Sequence, residues 1–317
     1  MKKIIKKILR ESFSCLVFYS GIYLLRLFFS RKKITILNYH DISSKDFERH
    51  VKYLTKRFNI ITLKQCIDNL KSERILKNGL AITFDDGYQS FYHDIFPILK
   101  KYSVPAAVFL TTGHIDSKQL FWFDALKIHF QENGPKIFED ILGIKENSFD
   151  PIISYINRLD ENEKTRKIEA MLKEIKIDRS DKSRDYQILT WKQIDEMRGN
   201  LVSFGAHTVT HPVLSRIPAE KAETEILQSK KLLEERLAAS IEFFAYPFGS
   251  ESDFNDKTAE LVRKAGFISA LTTVNGDCNT GDDLFRLNRK VVDGGFSIPS
   301  LAAKIAGLWI PLTRKGI

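Results

Sequence analysis

Five residues in this sequence have side chains whose type and spacing suit hydrolytic chemistry at a metal. Asp85 and Asp86 are adjacent in Thr83-Phe84-Asp85-Asp86-Gly87, and His207 and His211 bracket Thr208-Val209-Thr210. His40 ends a separate apolar run. Two adjacent carboxylates repel, so something positive must hold both ionised, and a divalent metal would do this. A four-residue spacing brings two imidazoles to one side of a helical turn, the geometry a metal needs. Two His and one carboxylate, with positions left open, make a catalytic and not a structural site. Neither pattern is specific alone, since Asp-Gly is ordinary turn chemistry. Both at the ends of apolar runs, with His40 at the end of a third, form a more specific combination.

Those runs predict the elements that must position the site. Residues 34–39, 80–84, 105–110, 201–204, 241–246, 267–271 and 287–292 read as short buried strands. Helical patterns lie between many of them, at 88–102 and at 218–238, with Pro218 suited to a first helical turn. Thr190-Trp191-Lys192-Gln193 has the form of a capping box opening a helix that runs to about Arg198. Strands alternating with helices indicate a parallel sheet, and about seven of them suggest a closed or nearly closed α/β barrel. In such barrels function collects at the C-terminal strand ends, where the candidate residues fall. Residues 115–188 break the rhythm and read as a helical insertion, with Ile168, Met171, Leu172 and Ile175 on one apolar face. Trp122 and Phe123 at its start either line a substrate groove or, more simply, pack the insertion on the barrel.

Composition narrows the class. The 317 residues are 43% apolar and 28% charged, which is ordinary globular composition and excludes disordered, collagen-like and low-complexity chains. Cys15, Cys66 and Cys278 are widely spaced and form no CxxC, so neither a disulfide framework nor a cysteine zinc site is expected. No G-x-S-x-G, HExxH, Walker A or GxGxxG pattern occurs, which argues against a serine hydrolase, a zincin, a P-loop enzyme and a Rossmann dehydrogenase.

The charge is uneven. Residues 1–33 hold nine basic residues (Lys2, Lys3, Lys6, Lys7, Arg10, Arg26, Arg31, Lys32, Lys33) and one acid, Glu11, a net +8 of the chain's +9. A nucleic-acid surface would need that excess on the folded body, so no nucleic-acid partner is expected. A basic segment beside the apolar run 12–29 points to membrane lipids instead. That run is just long enough to be a spanning candidate, but Arg26 interrupts it and basic clusters flank both sides. An in-plane or hairpin anchor fits as well as a span, and a helix docked on the domain itself is the alternative. No small-residue cleavage site follows the run, which disfavours a cleaved signal peptide. The organisation expected is a membrane-associating segment 1–33 and a barrel domain 34–317, on the cytoplasmic face or, alternatively, anchored outside the membrane.

The sequence resembles the NodB-homology polysaccharide deacetylases, the family 4 carbohydrate esterases, in TFDDG (83–87), HTVTH (207–211), AYPFG (245–249) and ALTT (270–273). The resemblance implies a distorted (β/α)7 barrel that removes N-acetyl groups from the amino sugars of a polysaccharide or glycolipid, using one divalent metal, commonly zinc. By motif, Asp85 matches the catalytic base, and Asp86, His207 and His211 match the metal ligands. Phe248 supplies a backbone N–H for the oxyanion, with Tyr246 beside it as a candidate substrate contact.

Two positions depart from the family pattern. Where many members have an arginine that tethers the base, this chain has Ala245; Arg286 or Arg289 is the candidate replacement, Arg289 preferred, with a surface ion pair as its plain alternative. Where many carry the acid histidine in a late Leu-x-His motif, this chain has Leu271-Thr272-Thr273, and His40 is the substitute general acid. His50, His93, His114 and His129 have no evident partners and read as surface or packing residues. A metal-dependent hydrolase of a non-sugar amide is the alternative function, ahead of a non-catalytic glycan-binding protein. A glycosidase using Asp85 and Asp86 fits poorly, because adjacent residues seldom achieve the roughly 5 Å or greater carboxyl separation that chemistry needs.

Overall fold

The structure, a computed structural model, describes residues 2–30, 32–40, 42–72, 76–117, 119–175, 186–199 and 201–309, with side chains from Ile8 onward and excluding Ser30. The side chains of Lys2, Lys3, Lys6 and Lys7, and all of Arg31, lie outside the described residues, as do 176–185 of the insertion and 310–317.

In chain order the elements are α1 (Lys2–Tyr19), α2 (Ile22–Ser30), β1 (Thr35–Tyr39), α3 (Ser44–Leu54), β2 (Asn59–Ile60), α4 (Leu63–Lys71), β3 (Gly79–Phe84), α5 (Phe96–Tyr102) and β4 (Ala106–Leu110). Then come α6 (Trp122–Asn133), α7 (Lys136–Leu142), α8 (Phe149–Ile156), α9 (Glu161–Glu174), α10 (Trp191–Met197), β5 (Val202–Ala206) and α11 (Ala219–Leu237). The chain continues with β6 (Phe243–Ala245), α12 (Asp256–Lys264), β7 (Ser269–Leu271), β8 (Lys290–Val291) and α13 (Ile298–Ile305).

The strands form one parallel sheet in the order β7-β6-β5-β4-β3-β1-β8, with β2 added against β3. Its ends meet through one short run. Leu287 bridges Leu271 of β7, and Lys290 and Val291 pair with Leu37 and Asn38 of β1. The result is the distorted (β/α)7 barrel expected from the sequence, joined at its last seam by a run too irregular to pair along its length. The two-residue β2 carries too few apolar positions to register as a run. The capping box Thr190–Gln193 is present and opens α10, and Pro218 stands one residue before the first turn of α11, at its N-cap position and without a capping hydrogen bond.

Strand alternation sorts the side chains into two cores. Leu37, Tyr39, Leu80, Ile82, Phe84, Val108, Leu110, Phe244 and Tyr246 pack outward with the surrounding helices. Ile34, Ile36, Ala81, Ala107, Phe109, Phe243, Ala245, Leu271 and Leu287 form the second core, inside the barrel. By the same parity Asn38, His40, Thr83, Asp85 and Arg289 belong to the inner face.

Helices α6–α9 build a third small core, in which Ile168 and Met171 are buried with Leu126, Phe138 and Ile152. Leu172 departs from the expected apolar face: it is exposed, one position past the buried stripe. Trp122 packs on this core, with Lys164 Nζ 5.1 Å from its ring centroid.

At the start of the chain α1 and α2 meet at a 74° bend. Gly21, at φ +75°, supplies the turn that no larger side chain readily adopts. Among the described residues no single helix is long and apolar enough to cross a membrane.

Candidate active site

The site begins where β3 ends. Asp85 keeps the inward direction of Ala81 and Thr83, but Asp86 and Gly87 turn the chain with φ of +70° and +79°. This pair of left-handed residues lets two adjacent carboxylates address one cavity, although strand alternation alone would oppose them. Gly87 suits this turn because its φ is positive, and a Cβ there would also displace the Leu110 side chain, whose Cδ2 would lie 2.8 Å away.

Asp85 is buried and held by three hydrogen bonds from two residues. Arg289 donates from Nη1 to Oδ1 at 2.8 Å and from Nη2 to Oδ2 at 2.7 Å. Asn38 Nδ2 donates to Oδ2 at 2.9 Å. Arg289, fully buried, is itself fixed by donating from Nε to Thr272 O (2.8 Å) and from Nη1 to Thr83 Oγ1 (3.1 Å). Burial alone would raise the Asp85 pKa, but Arg289, His207 and His40 outweigh it and hold the carboxyl below its ordinary value. His40 Nε2 stands 3.7 Å from Asp85 Oδ2, with its side chain 40% exposed at the cavity mouth.

His207 and His211 do not share a helical turn. The run 207–211 is a loop, with Thr208 at φ +65° and His211 at φ +62°. A carboxylate shapes it: Glu225 Oε2 accepts from the N–H groups of Val209 and Thr210, both at 2.8 Å, and Oε1 accepts from Thr210 Oγ1 at 2.6 Å. Thr208 Oγ1 accepts from His211 N at 3.0 Å. The four-residue spacing therefore works through a loop moulded on α11.

Asp86, His207 and His211 place their ligand atoms within 4.8 Å of one another, all buried. His207 Nδ1 lies 2.7 Å from the Ala245 carbonyl, which can only accept, so Nδ1 carries the proton and Nε2 keeps its lone pair. That lone pair faces Asp86 Oδ1 at 3.5 Å, and His211 Nε2 lies 3.2 Å from the same oxygen. Asp86 Oδ1 is buried and has no hydrogen-bond partner among the described residues. A buried acceptor without a donor, facing two imidazole nitrogens, is costly unless a cation sits among them. These three residues fit a divalent metal.

A cavity of about 450 Å³ opens beside this group, lined by His40, Asp86, Tyr88, Phe123, Phe149, Ile153 and Phe248 among others. Phe248 sits at φ +60° in the Pro247-Phe248-Gly249 turn. Thr273 ties that turn down, its Oγ1 donating to Phe248 O at 2.7 Å and its N–H to Gly249 O at 2.8 Å. The Phe248 ring is 4.8 Å from that of His211 and 5.9 Å from that of Phe123. Phe123 thus reaches the cavity whereas Trp122 only packs, so the two neighbours divide the roles the sequence left open. Phe149 and Ile153 show that α8 of the insertion also forms cavity wall.

Tyr246 lies elsewhere. Strand parity turns its ring outward; it is fully buried, stacks 4.6 Å from Phe254, and donates its hydroxyl to Phe285 O at 2.9 Å. Tyr246 therefore makes no side-chain contact with the cavity, which corrects its assignment as a substrate residue. Arg286 pairs at the surface with Asp256 and Asp283. His50 is also corrected: it is fully buried and has two partners, Phe296 O at 2.9 Å from Nε2 and Tyr39 Oη at 3.3 Å from Nδ1. His93 and His129 are peripheral, beside Gln193 and Asn133, and His114 packs 4.4 Å from Phe121. Asn38 and Glu225 were not foreseen. The signals for them were a polar residue at an inward strand position and an acid on the buried face of α11.

The family described as polysaccharide deacetylase matches residues 74–270, and the chain belongs to it. It is 24% identical over 286 residues to the "Putative polysaccharide deacetylase YxkH" of Bacillus subtilis (strain 168), covering 87% of this chain and 77% of that one. It is 35% identical over 100 residues to the poly-beta-1,6-N-acetyl-D-glucosamine N-deacetylase of Staphylococcus aureus (strain MSSA476); that match spans 31% of this chain and 34% of that protein. Among solved structures, the Streptococcus pyogenes deacetylase PplD in complex with acetate has the same fold, at TM-score 0.59 and 21% identity over 88% of this chain and 99% of that one. IcaB from Ammonifex degensii does too, at TM-score 0.59 and 20% identity over 87% and 97%.

Proposed function

We propose that this deacetylase is a metal-dependent hydrolase that removes N-acetyl groups from the amino sugars of a polysaccharide or glycolipid in cell-surface carbohydrate synthesis. The observation that carries the reading is the buried Asp86–His207–His211 group, with an orphaned carboxylate oxygen, beside an aspartate fixed by Arg289. A divalent ion, zinc foremost, held by those three residues would supply Lewis acidity, polarising the amide carbonyl and lowering the pKa of water.

The chain's own groups supply the rest. Asp85, kept ionised by Arg289, takes a proton from the attacking water as its oxygen bonds to the acetyl carbon. Arg289 and Asn38 fix the carboxylate so that no reorientation precedes the transfer. The Phe248 N–H, without a hydrogen-bond partner among the described residues, is available to the developing oxyanion. As the C–N bond breaks, His40 at the cavity mouth protonates the departing amine, and acetate and a free amino sugar leave. The aromatic walls, Phe123, Tyr88 and Phe248, suit the apolar faces of sugar rings.

The staphylococcal relatives make β-1,6-linked N-acetylglucosamine oligomers the first substrate to test. Acetate release by the zinc-loaded full-length protein is expected, and Asp85→Asn should abolish it. Release that persists in Asp85→Asn would refute the role of Asp85. No release from any N-acetylated sugar, with metal bound, would move the reading to a non-sugar amide.

A further inference from the structure

We propose that α1 and α2 form an in-plane anchor that holds the barrel against an anionic lipid surface without crossing it. This goes beyond the deacetylase reading and does not depend on it. The two faces of the helix pair do different things. One face is fastened to the barrel: Val17 and Tyr23 are buried, and Phe18 stacks on Tyr23 at 4.9 Å. Glu11 accepts from Ser297 Oγ at 2.7 Å and from Ser300 Oγ at 2.8 Å, at the start of α13. Arg10 lies 4.1 Å over the Trp309 ring.

The other face is apolar and open. Among the described residues, thirteen large hydrophobic side chains are exposed, and nine of them lie between Ile8 and Phe29, with Tyr19 and Phe29 the most exposed. Single exposed apolar side chains are normal, but a concentration of this kind marks an interaction surface.

The occupant follows from charge. Residues 1–33 carry a net +8, and Arg26, Lys32 and Lys33 are exposed beside the apolar face. The segment's one acid, Glu11, is held against the barrel by the two serines, and its charge is already counted in the +8. A second copy docking through the same face would set +8 against +8. Protein interfaces are also depleted in lysine, whereas basic residues flanking an apolar helix face suit anionic headgroups.

The mode follows from length and from the clamp. The nine residues of α2 span ~13 Å at 1.5 Å each, against a hydrocarbon core of ~30 Å. Together the bent pair Ile8–Tyr19 and Ile22–Phe29 has the length and composition of a broken span, but Ser14 and Val17 of α1 and Tyr23 of α2 are buried on the barrel, so neither helix can cross a bilayer and stay docked.

Co-sedimentation of the full-length protein with phosphatidylglycerol-containing vesicles, and with pure phosphatidylcholine vesicles, tests this. Strong binding to the first and weak binding to the second is expected. Lys32→Glu with Lys33→Glu should weaken partition by about tenfold or more. Leu24→Ser, Leu25→Ser and Phe29→Ser together should abolish it while leaving metal content and acetate release in solution unchanged. Equal binding to both vesicles, or binding unaffected by the serine variant, would overturn the proposal. So would a dimer that the serine variant converts to monomer without any vesicle binding. Accessibility of an N-terminal tag on the far side of the vesicle would overturn the in-plane mode and show a span.

Discussion

Arg289 and Asp85, 204 residues apart in sequence, form a two-point ion pair inside the barrel, both N–H···O contacts falling between 2.7 and 2.8 Å. The arginine arrives on the irregular run that closes the last seam of the sheet. It reaches the carboxylate across the barrel interior and leaves Ala245, where many family members have the tethering arginine, free to be small. Because the pair is buried, removing one partner strands a charge.

Arg289→Ala should therefore destabilise the protein by about 3–5 kcal/mol in denaturant titration. Arg289→Lys tests positioning more sharply, because an ammonium cannot present two parallel N–H groups. Turnover should fall ~100-fold or more, the scale on which misplacing a reacting group costs rate, while the amount of metal bound is unchanged. Near-normal turnover in Arg289→Lys would mean that the two-point geometry does not matter to catalysis.

Metal removal has a definite expected signature. Chelation should lower the melting temperature, and zinc at ~100 times its dissociation constant should return about 2.7 kcal/mol of stability. Asp86→Ala should lose both the bound metal and activity; Asp85→Asn should lose activity and keep the metal, while melting lower because it leaves the buried Arg289 unpaired. Metal retained at full stoichiometry in Asp86→Ala would exclude Asp86 as a ligand.

The loop 207–211 owes its shape to Glu225, which accepts three hydrogen bonds from Val209 and Thr210. Glu225 touches none of the proposed ligands, so it acts by positioning. Glu225→Ala should weaken metal affinity about 10–100-fold, as loss of a supporting shell generally does. Glu225→Gln, which keeps the shape, should recover much of that affinity. Isothermal titration with zinc distinguishes this from general unfolding, since the glutamine variant should melt within a few degrees of the parent.

How far the sequence could be read depended on whether a feature was local. Each strand of the main sheet lies within or beside an apolar run, because a parallel sheet covered on both faces selects continuous apolar segments. The Asp-Asp-Gly turn was legible for the same reason. Strand parity is equally local: it sets Asn38, His40, Thr83 and Asp85 on the inner face and turns Tyr246 out. The conformation of 207–211 was not legible, because its left-handed residues are held by an acid on a distant helix. His50 looked partnerless because its partners, Tyr39 and Phe296, are 11 and 246 residues away.

The protonation of His50 predicts acid sensitivity. Its Nε2 must donate to the Phe296 carbonyl, so Nδ1 of the neutral ring accepts from Tyr39. Burial disfavours the imidazolium and lowers the pKa below the ordinary histidine value of 6.5. With the folded value below the unfolded one, the unfolded chain binds more protons in the interval between them, so stability rises with pH there. The contribution is complete above about pH 6.5 and declines as pH falls below it. His50→Gln should flatten that part of a stability–pH curve measured by urea unfolding. An unchanged curve would show that His50 does not titrate on unfolding.

His40 offers the sharpest division between roles. If it protonates the departing amine, then His40→Asn should lower turnover on an N-acetyl sugar by about 100-fold or more, the usual worth of a positioned acid. Its imidazole lies 3.7 Å from Asp85 and is not part of the Asp86–His207–His211 group, so zinc content should be unaffected. The decisive comparison is a substrate whose leaving group needs no proton. An activated ester such as 4-nitrophenyl acetate departs as a stable phenolate, so its hydrolysis should be nearly the same in His40→Asn as in the parent. It should nevertheless be abolished in Asp85→Asn. Equal losses on amide and ester would place His40 in support of Asp85 or of water binding. A loss confined to the amide assigns it to the leaving group.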